Sequence, residues 1–220
     1  MAKAKKARTG SFILGLIVVL LAIFGAVTLI LLAGKSAGNL FSDTAKREEY
    51  EAFLAPVVRN DPDTFDDVNQ AAQTQLLDCT IWKILQSNME TGKYETVALT
   101  DGAGFQIPEA DVDAQFASIF GSIENIEHST IDGGDYIFTY DKAKQVYLVP
   151  ITAIAPIYIP RVTDIQKKSR SIVLTVGYIP ASEFAQDEKG NITQPEPDKF
   201  RKITLRTAKD GYFISAIQVA

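Results

Sequence analysis

Few side chains in this 220-residue sequence could perform acid–base or metal chemistry. It contains one histidine, His128, and one cysteine, Cys79, which lie far apart in the chain. Common zinc sites use three or four ligands, mostly histidine and cysteine, so the sequence predicts no zinc site. If residues 125–130 form a strand, Glu127 and His128 point to opposite faces and cannot pair directly. We therefore interpret His128 as a surface or structurally hydrogen-bonded residue and predict no catalytic residue, cofactor or metal.

Acidic residues form two clusters, and helix capping explains both. The first cluster lies between Asp61 and Asp67 and lacks the glycine that calcium-binding loops need at their sixth position. The second cluster, Glu109, Asp111 and Asp113, lies in the first turn of a predicted helix. Carboxylates stabilise a helix N-terminus through the helix dipole. We interpret both clusters as solvated capping groups, without metal-binding or acid–base function.

An apolar, proline-rich stretch, residues 149–162, is the candidate for a binding surface. It has two interpretations that the sequence leaves open: part of the domain interior that also protects the sheet edge, or a groove wall that contacts a protein, a peptide or a cell-wall fragment. Tyrosines of the preceding strands could line the same surface. The candidate binding residues are Tyr136, Tyr140, Tyr147, Ile151, Ile154, Ile157, Tyr158 and Ile159.

The N-terminal region contains a run of 22 uncharged residues, 12–33. As a helix with a rise of about 1.5 Å per residue, it spans roughly 33 Å, enough to cross a bilayer core of about 30 Å. Lys3, Lys5, Lys6 and Arg8 precede it, and such cations favour a cytoplasmic N-terminus. We expect an uncleaved signal anchor; a cleaved signal peptide and a buried helix are the alternatives.

The sequence thus predicts four regions: a basic cytoplasmic tail (1–11), a transmembrane helix (12–33), a linker (34–43) and an extracytoplasmic domain (44–220). Five of the 22 basic residues precede residue 41, which leaves 17 against 27 acidic residues, a formal charge of −10. Such a domain repels nucleic acid, which we exclude as a partner. The expected partners are the lipid bilayer, through residues 12–33, and another envelope protein or a second copy of the chain.

Hydrophobic periodicity predicts two helices, a strand, a third helix and then four to six antiparallel strands. Helices followed by antiparallel strands indicate an α+β domain with helices packed on one sheet face. The predicted helices are 44–58, 64–88 and 108–120, and the predicted strands are 94–99, 105–107, 136–140, 145–150, 171–179, 200–207 and 212–219, with a long exposed loop over 181–198.

This order of elements resembles the nuclear-transport-factor-2-like and cystatin-like domains. The paired opening helices, the start of the third helix at Ile107–Val112 and the closing hairpin around Gly211–Ser215 carry the resemblance. It implies a cone-like domain with three helices packed on a curved antiparallel sheet. Enzymes of this fold usually place a carboxylate, a histidine or a tyrosine inside the cone.

The whole chain also resembles small membrane-anchored exported proteins of Gram-positive bacteria. Domains of this fold in conjugation and type IV secretion subunits, and in some penicillin-binding proteins, mostly serve as assembly or spacing modules. The resemblance implies a non-catalytic binding or assembly module of the cell envelope, located at the cell membrane with its C-terminal domain outside. The alternatives are a pocket for a glycan or lipid fragment, and a divergent enzyme of the same fold.

Overall fold

The computed structural model describes residues 40–100, 102–152, 154–186, 192–209 and 211–220. The predicted tail and membrane span lie outside these residues, as does the linker up to residue 39. Among the described helices, none combines the length and the apolar character needed to cross a bilayer. The chain divides into two compact units, residues 1–49 and 50–220, and the second contains all the strands described below.

Three α-helices are present in the described residues: α1 (Leu40–Val58), α2 (Gln73–Thr91) and α3 (Glu109–Phe120). The start of α1 lies inside the predicted linker. The start predicted for the second helix, near residue 64, is wrong. There the Asp67 carboxylate accepts a hydrogen bond of 2.9 Å from the Asn69 N–H and caps a separate short 3-10 helix, Val68–Gln70.

Nine of the eleven described strands form two antiparallel sheets, where the sequence predicted one curved sheet. The five-stranded sheet has the order β1-β2-β5-β4-β3, and the four-stranded sheet has the order β11-β10-β7-β6. Residues 151, 152 and 154–157, which connect them, belong to no strand, and prolines at 150 and 156 cannot donate to a ladder. The strands are β1 (Thr96–Leu99), β2 (Gly102–Pro108), β3 (Ile131–Asp132), β4 (Ile137–Asp141), β5 (Val146–Pro150), β6 (Tyr158–Lys167), β7 (Ser171–Pro180), β10 (Lys199–Ala208) and β11 (Gly211–Val219).

The remaining pair, β8 (Ala185–Gln186) with β9 (Ile192–Thr193), lies within the predicted long loop. The helix–strand order and the two predicted hairpins, β4–β5 and β10–β11, are confirmed. The domain is therefore α+β, with three helices and antiparallel sheets.

Helix α3 packs against α2, β2 and β11. It contributes Val112, Phe116, Ile119 and Phe120 to one continuous core. Helix α2 contributes Cys79, which is fully buried, as its place on the apolar face predicts. The core therefore includes side chains from both sheets and from the helices.

Both ends of α3 are fixed by backbone geometry. The Glu109 N–H donates a 2.9 Å hydrogen bond to the Gln145 carbonyl in the turn between β4 and β5. At the other end, Gly121 has φ 78°, and a Cβ there would lie 2.8 Å from the ring of Phe213 on β11. Only glycine meets both conditions without strain. The first turn of α3, with its carboxylates, is thereby held beside β4 and β5.

Candidate functional site

The His128 cluster comprises Glu109, Asp113, His128, Tyr140 and Tyr147. The two carboxylates are four residues apart on α3, a spacing that places them on one face of the helix. His128 lies in the irregular segment 121–130, not in a strand as considered above. Tyr140 of β4 and Tyr147 of β5 are directly paired across the sheet, with ring centroids 5.0 Å apart. Three separate parts of the chain thus supply the cluster.

Hydrogen bonds join Asp113, His128 and Tyr147, and a separate bond joins Tyr140 to Glu109. The two groups meet through ring contacts, with the ring centroids of His128 and Tyr140 5.4 Å apart. His128 Nε2 lies 2.9 Å from Asp113 Oδ1, and Nδ1 lies 3.1 Å from the Tyr147 hydroxyl. The Tyr140 hydroxyl donates to Glu109 Oε2. A neutral imidazole fits these partners when Nε2–H donates to Asp113 and Nδ1 accepts from Tyr147. The His128 side chain is 7% exposed, whereas that of Asp113 is 45% exposed, so the network runs from the interior to the surface.

A cavity of about 340 Å³ adjoins this network. Glu109, Asp113 and His128 line it together with Phe116 and much of the segment 121–126. The hydrogen bond to the Glu109 carboxylate raises the pKa of Tyr140 to about 12, because the protonated hydroxyl is the form that donates to the carboxylate. Burial is the main cause that raises the pKa of Tyr147 well above its usual value.

The interpretation of the α3 carboxylates as solvated capping groups without partners is wrong for all three. Glu109 and Asp113 bond to the side chains just described. Asp111 accepts hydrogen bonds of 2.9 Å from Lys93 Nζ and 2.7 Å from the Tyr94 hydroxyl, and these bonds lower the pKa of Asp111. The partners come from other elements that the fold brings to α3, so the residues of α3 alone could not reveal them.

A second polar network, the Asp78 cluster, comprises Arg59, Asn60, Asp78, Trp82 and Tyr136. Asp78 accepts hydrogen bonds from the Tyr136 hydroxyl, at 2.8 and 2.9 Å, and from Asn60 Nδ2, at 2.9 Å. Trp82 Nε1 donates to the Tyr136 oxygen at 3.1 Å. The Arg59 guanidinium lies 3.6 Å from the Trp82 ring centroid, within the distance of a cation–π contact.

Burial dominates the electrostatics of the Asp78 cluster. Desolvation raises the pKa of Asp78 to about 6, although the hydrogen bond from Tyr136 and the charge of Arg59 act in the opposite direction. Desolvation also lowers the pKa of Arg59 to about 10, against the favourable charge of Asp78. Arg59 therefore stays protonated at neutral pH. Asp78, with a pKa of about 6, changes its protonation state just below neutral pH.

The eight candidate binding residues do not form one surface. Tyr140 and the fully buried Tyr147 belong to the His128 cluster, and Tyr136 belongs to the Asp78 cluster. Ile159 is partly buried in β6 opposite Ile179. The remaining four candidates lie along the chain from Ile151 to Tyr158.

The connection between the two sheets exposes apolar side chains on an anchored backbone. We use the name apolar segment for residues 151, 152 and 154–157. Ile151 and Ile157 are 55% and 59% exposed, while Ile154 packs against the core. The Ile157 N–H donates to the Arg59 carbonyl at 3.1 Å, and the Arg59 guanidinium donates to the Ile154 carbonyl. The backbone is also held at its start, where the Ile151 N–H donates to the Ala103 carbonyl at 3.0 Å.

Tyr158 begins β6 next to the apolar segment and packs against Tyr178 and Lys199. Its ring lies 5.6 Å from the ring of Tyr178 and 4.7 Å from Lys199 Nζ. Lys199 forms an ion pair with Asp61. This contact holds β6 and the strand β10 at the turn that follows α1.

The sequence interpretation missed the two networks because it weighed each polar residue within its own element. One signal was available for the His128 cluster: Glu109 and Asp113 have the four-residue spacing that places both on one helix face. For Asp78, the signal was an acidic residue immediately before Cys79 on a helix rich in apolar residues.

Comparisons with known proteins give no match to a protein family, to a curated protein or to a solved structure. The resemblance to nuclear-transport-factor-2-like and cystatin-like domains stays a prediction.

The raised pKa of Asp78 predicts a pH dependence of stability. Because the folded-state pKa, about 6, exceeds the ordinary value of 3.8, the native state binds the proton more tightly. The resulting stabilisation is fully present below about pH 4 and is lost as the pH rises through 6. Asp78→Asn should flatten this decline, which is on the order of 1–3 kcal/mol in the free energy of unfolding. Urea unfolding at pH 4 to 7, monitored through the fluorescence of Trp82, measures this free energy of unfolding.

Asp111→Asn is the control for this pH dependence. Since hydrogen bonds lower the pKa of Asp111, its contribution to stability is present above its ordinary pKa and is lost as the pH falls. Its substitution should leave the decline between pH 4 and 6 in place. An Asp78→Asn protein with the wild-type pH profile would contradict the prediction.

The Tyr147 hydroxyl should stabilise the domain, whereas that of Tyr178 should not. Tyr147→Phe leaves His128 Nδ1 buried without its partner, at a cost of about 1–3 kcal/mol in the free energy of unfolding. The Tyr178 hydroxyl is buried and finds no hydrogen-bond partner among the described residues. Tyr178→Phe should therefore change stability by less than about 1 kcal/mol. Equal losses in the two variants, measured by denaturant unfolding, would argue against the network.

Proposed function

We propose that this chain is a single-pass membrane protein whose extracytoplasmic α+β domain is a non-catalytic binding or assembly module of the cell envelope. In this proposal residues 12–33 anchor the chain in the bilayer, and the apolar segment binds another protein. The observation that carries the proposal is the exposure of Ile151 and Ile157 on a backbone held by hydrogen bonds.

Exposed apolar side chains favour contact with a protein surface because their burial removes them from water. Fully burying an isoleucine contributes roughly 1.5–3 kcal/mol, and Ile151 and Ile157 are about half exposed before any contact. The bonds to Ala103 and Arg59 fix the backbone beside them. A preorganised segment loses less conformational entropy on binding, so more of the burial energy is available as affinity.

The chemistry of the cavity gives less support to the alternative of a glycan or lipid fragment. A lipid fragment needs an apolar cavity, but Glu109, Asp113 and His128 line the cavity of about 340 Å³ beside α3. These polar groups are the specific observation in favour of a second candidate function, a divergent enzyme. In that case Asp113 would orient His128 through Nε2, and Nδ1 would act as the general base after leaving its hydrogen bond with the Tyr147 hydroxyl.

The membrane arrangement predicts the accessibility of two introduced thiols. Lys142→Cys lies in the exposed turn between β4 and β5, and Ala4→Cys lies in the predicted cytoplasmic tail. A membrane-impermeant maleimide added to intact cells should label the first variant and not the second. Lysis should make both reactive. The wild-type chain provides the background, since Cys79 is fully buried. Labelling of the tail but not of the turn in intact cells would reverse the proposed orientation.

Binding through the apolar segment predicts a position-specific crosslink in intact cells. A photoreactive amino acid at position 157 should give a discrete adduct with a second protein, whereas the same probe at Met89, which is 75% exposed on α2, should not. Ile151→Ser should lower the adduct yield at 157 about four- to tenfold, because it removes roughly 0.8–1.5 kcal/mol of apolar burial from the half of the side chain that is exposed.

Ile137→Ser, a change at a side chain 50% exposed on β4, is the matched control and should leave the yield unchanged. Two epitope tags on co-expressed copies distinguish a different protein from a second copy of this chain. Equal yields from positions 89 and 157, or adducts with lipid alone, would refute protein binding by the apolar segment.

A further inference from the structure

We propose that Glu109, Asp113 and His128 form a binding site for one divalent transition-metal ion, with Zn²⁺ as the preferred ion. One ligand atom from each residue lies within 4.8 Å of the other two. This inference is independent of the proposed protein contact, because the apolar segment contributes none of the three ligands. The sequence predicted no zinc site, because Cys79 was the only second ligand considered beside His128. The present proposal replaces that prediction.

The distances suit a metal with little rearrangement. Zinc bonds to imidazole nitrogen and carboxylate oxygen at roughly 2.0–2.2 Å, so two ligand atoms that subtend about 90–110° lie about 3.0–3.4 Å apart. His128 Nε2 and Asp113 Oδ1 are already 2.9 Å apart. Glu109 is one helical turn before Asp113 on the same face, and one of its carboxylate oxygens lies within 4.8 Å of the ligand atoms of the other two residues.

The donor set selects the class of ion. A nitrogen from imidazole with two carboxylates suits Zn²⁺ and other first-row transition metals, whereas Ca²⁺ and Mg²⁺ prefer sites made only of oxygen ligands. Three protein ligands leave a fourth position of a tetrahedral zinc site for water. The adjoining cavity of about 340 Å³ has room for that water.

The two tyrosines hold the ligands in the orientation that a metal requires. When Nε2 of His128 binds a metal, the ring proton resides on Nδ1 and is donated to the Tyr147 oxygen, which lies 3.1 Å away. The Tyr140 hydroxyl donates to Glu109. Hydrogen bonds of this kind to metal ligands fix the imidazole tautomer and typically change metal affinity 10–100-fold.

Charge also favours a cation at this position. Two carboxylates and a neutral imidazole carry a formal charge of −2, and in the described part of the chain neither Glu109 nor Asp113 has an ion pair with lysine or arginine. The third carboxylate of the same helix, Asp111, differs because Lys93 Nζ lies 2.9 Å from it. A divalent ion would neutralise the two carboxylates that the protein leaves uncompensated.

The test titrates the full chain with Zn²⁺ alone, in detergent micelles, without a polyhistidine tag and against a chromophoric chelator. We expect one saturable site per chain. Glu109→Gln and Asp113→Asn should each lower the affinity about tenfold or more, because loss of a ligand costs at least as much as loss of a supporting hydrogen bond. Both amides keep an oxygen that accepts the existing hydrogen bonds, so the fold should persist. Glu127→Gln, next to His128 and outside the ligand set, should bind as the wild type does.

Since His128 is the only histidine, its ring signals in an NMR spectrum report directly on coordination. Zn²⁺ should shift the Nε2 resonance in the wild-type chain, a result that does not depend on the folding of any variant. Zinc that binds without changing this resonance, or equally to the Glu127→Gln and Asp113→Asn proteins, would overturn the proposal. Tighter binding of Mn²⁺ than of Zn²⁺ would overturn the preference for zinc.

Discussion

The packing of α3 is the constraint on which the rest of the domain depends. It packs against β2 of one sheet, β11 of the other, and α2, so a single helix connects the two sheets of the core. Its start continues directly from β2 and bonds to the carbonyl of Gln145, which itself has φ 54°, an uncommon value for a residue other than glycine. Its end turns at Gly121 against Phe213. With both ends fixed, the direction of every side chain on α3 follows.

This fixed helix explains why polar groups lie at its contact with the sheet. Alternate positions in β4 and just before it are occupied by Tyr136, Phe138 and Tyr140. Their side chains therefore point to the same face of the sheet, the face toward the helices. Phe138 is fully buried, and the tyrosine on each side of it donates its hydroxyl to a helix carboxylate: Asp78 on α2 and Glu109 on α3. These two tyrosines thus supply a hydrogen-bond donor to one carboxylate on α2 and one on α3, and neither donor carries a charge.

Local patterns in the sequence predicted most elements but few of their partners. The apolar spacing of α3 and the turns of the β4–β5 and β10–β11 hairpins depend on neighbouring residues, and these elements were predicted correctly. The division into two sheets depends on where the chain between Pro150 and Tyr158 lies, which periodicity does not encode. The same reason applies to His128, whose partners Asp113 and Tyr147 are set by the packing of α3 on the sheet. The start of α2 was placed too early because Asp67 caps a separate turn.

The two polar networks differ in how their charge is compensated, and this difference bears on function. In the Asp78 cluster, Arg59 supplies a positive charge beside the carboxylate, and its guanidinium also bonds to the backbone at Ile154. That cluster is electrically balanced and fixes the segment that exposes Ile157. The His128 cluster contains two half-buried carboxylates, Glu109 and Asp113, and among the described residues no lysine or arginine forms an ion pair with either. Two neighbouring negative charges without a cationic partner attract a cation, so this cluster is the better place to expect a positively charged ligand.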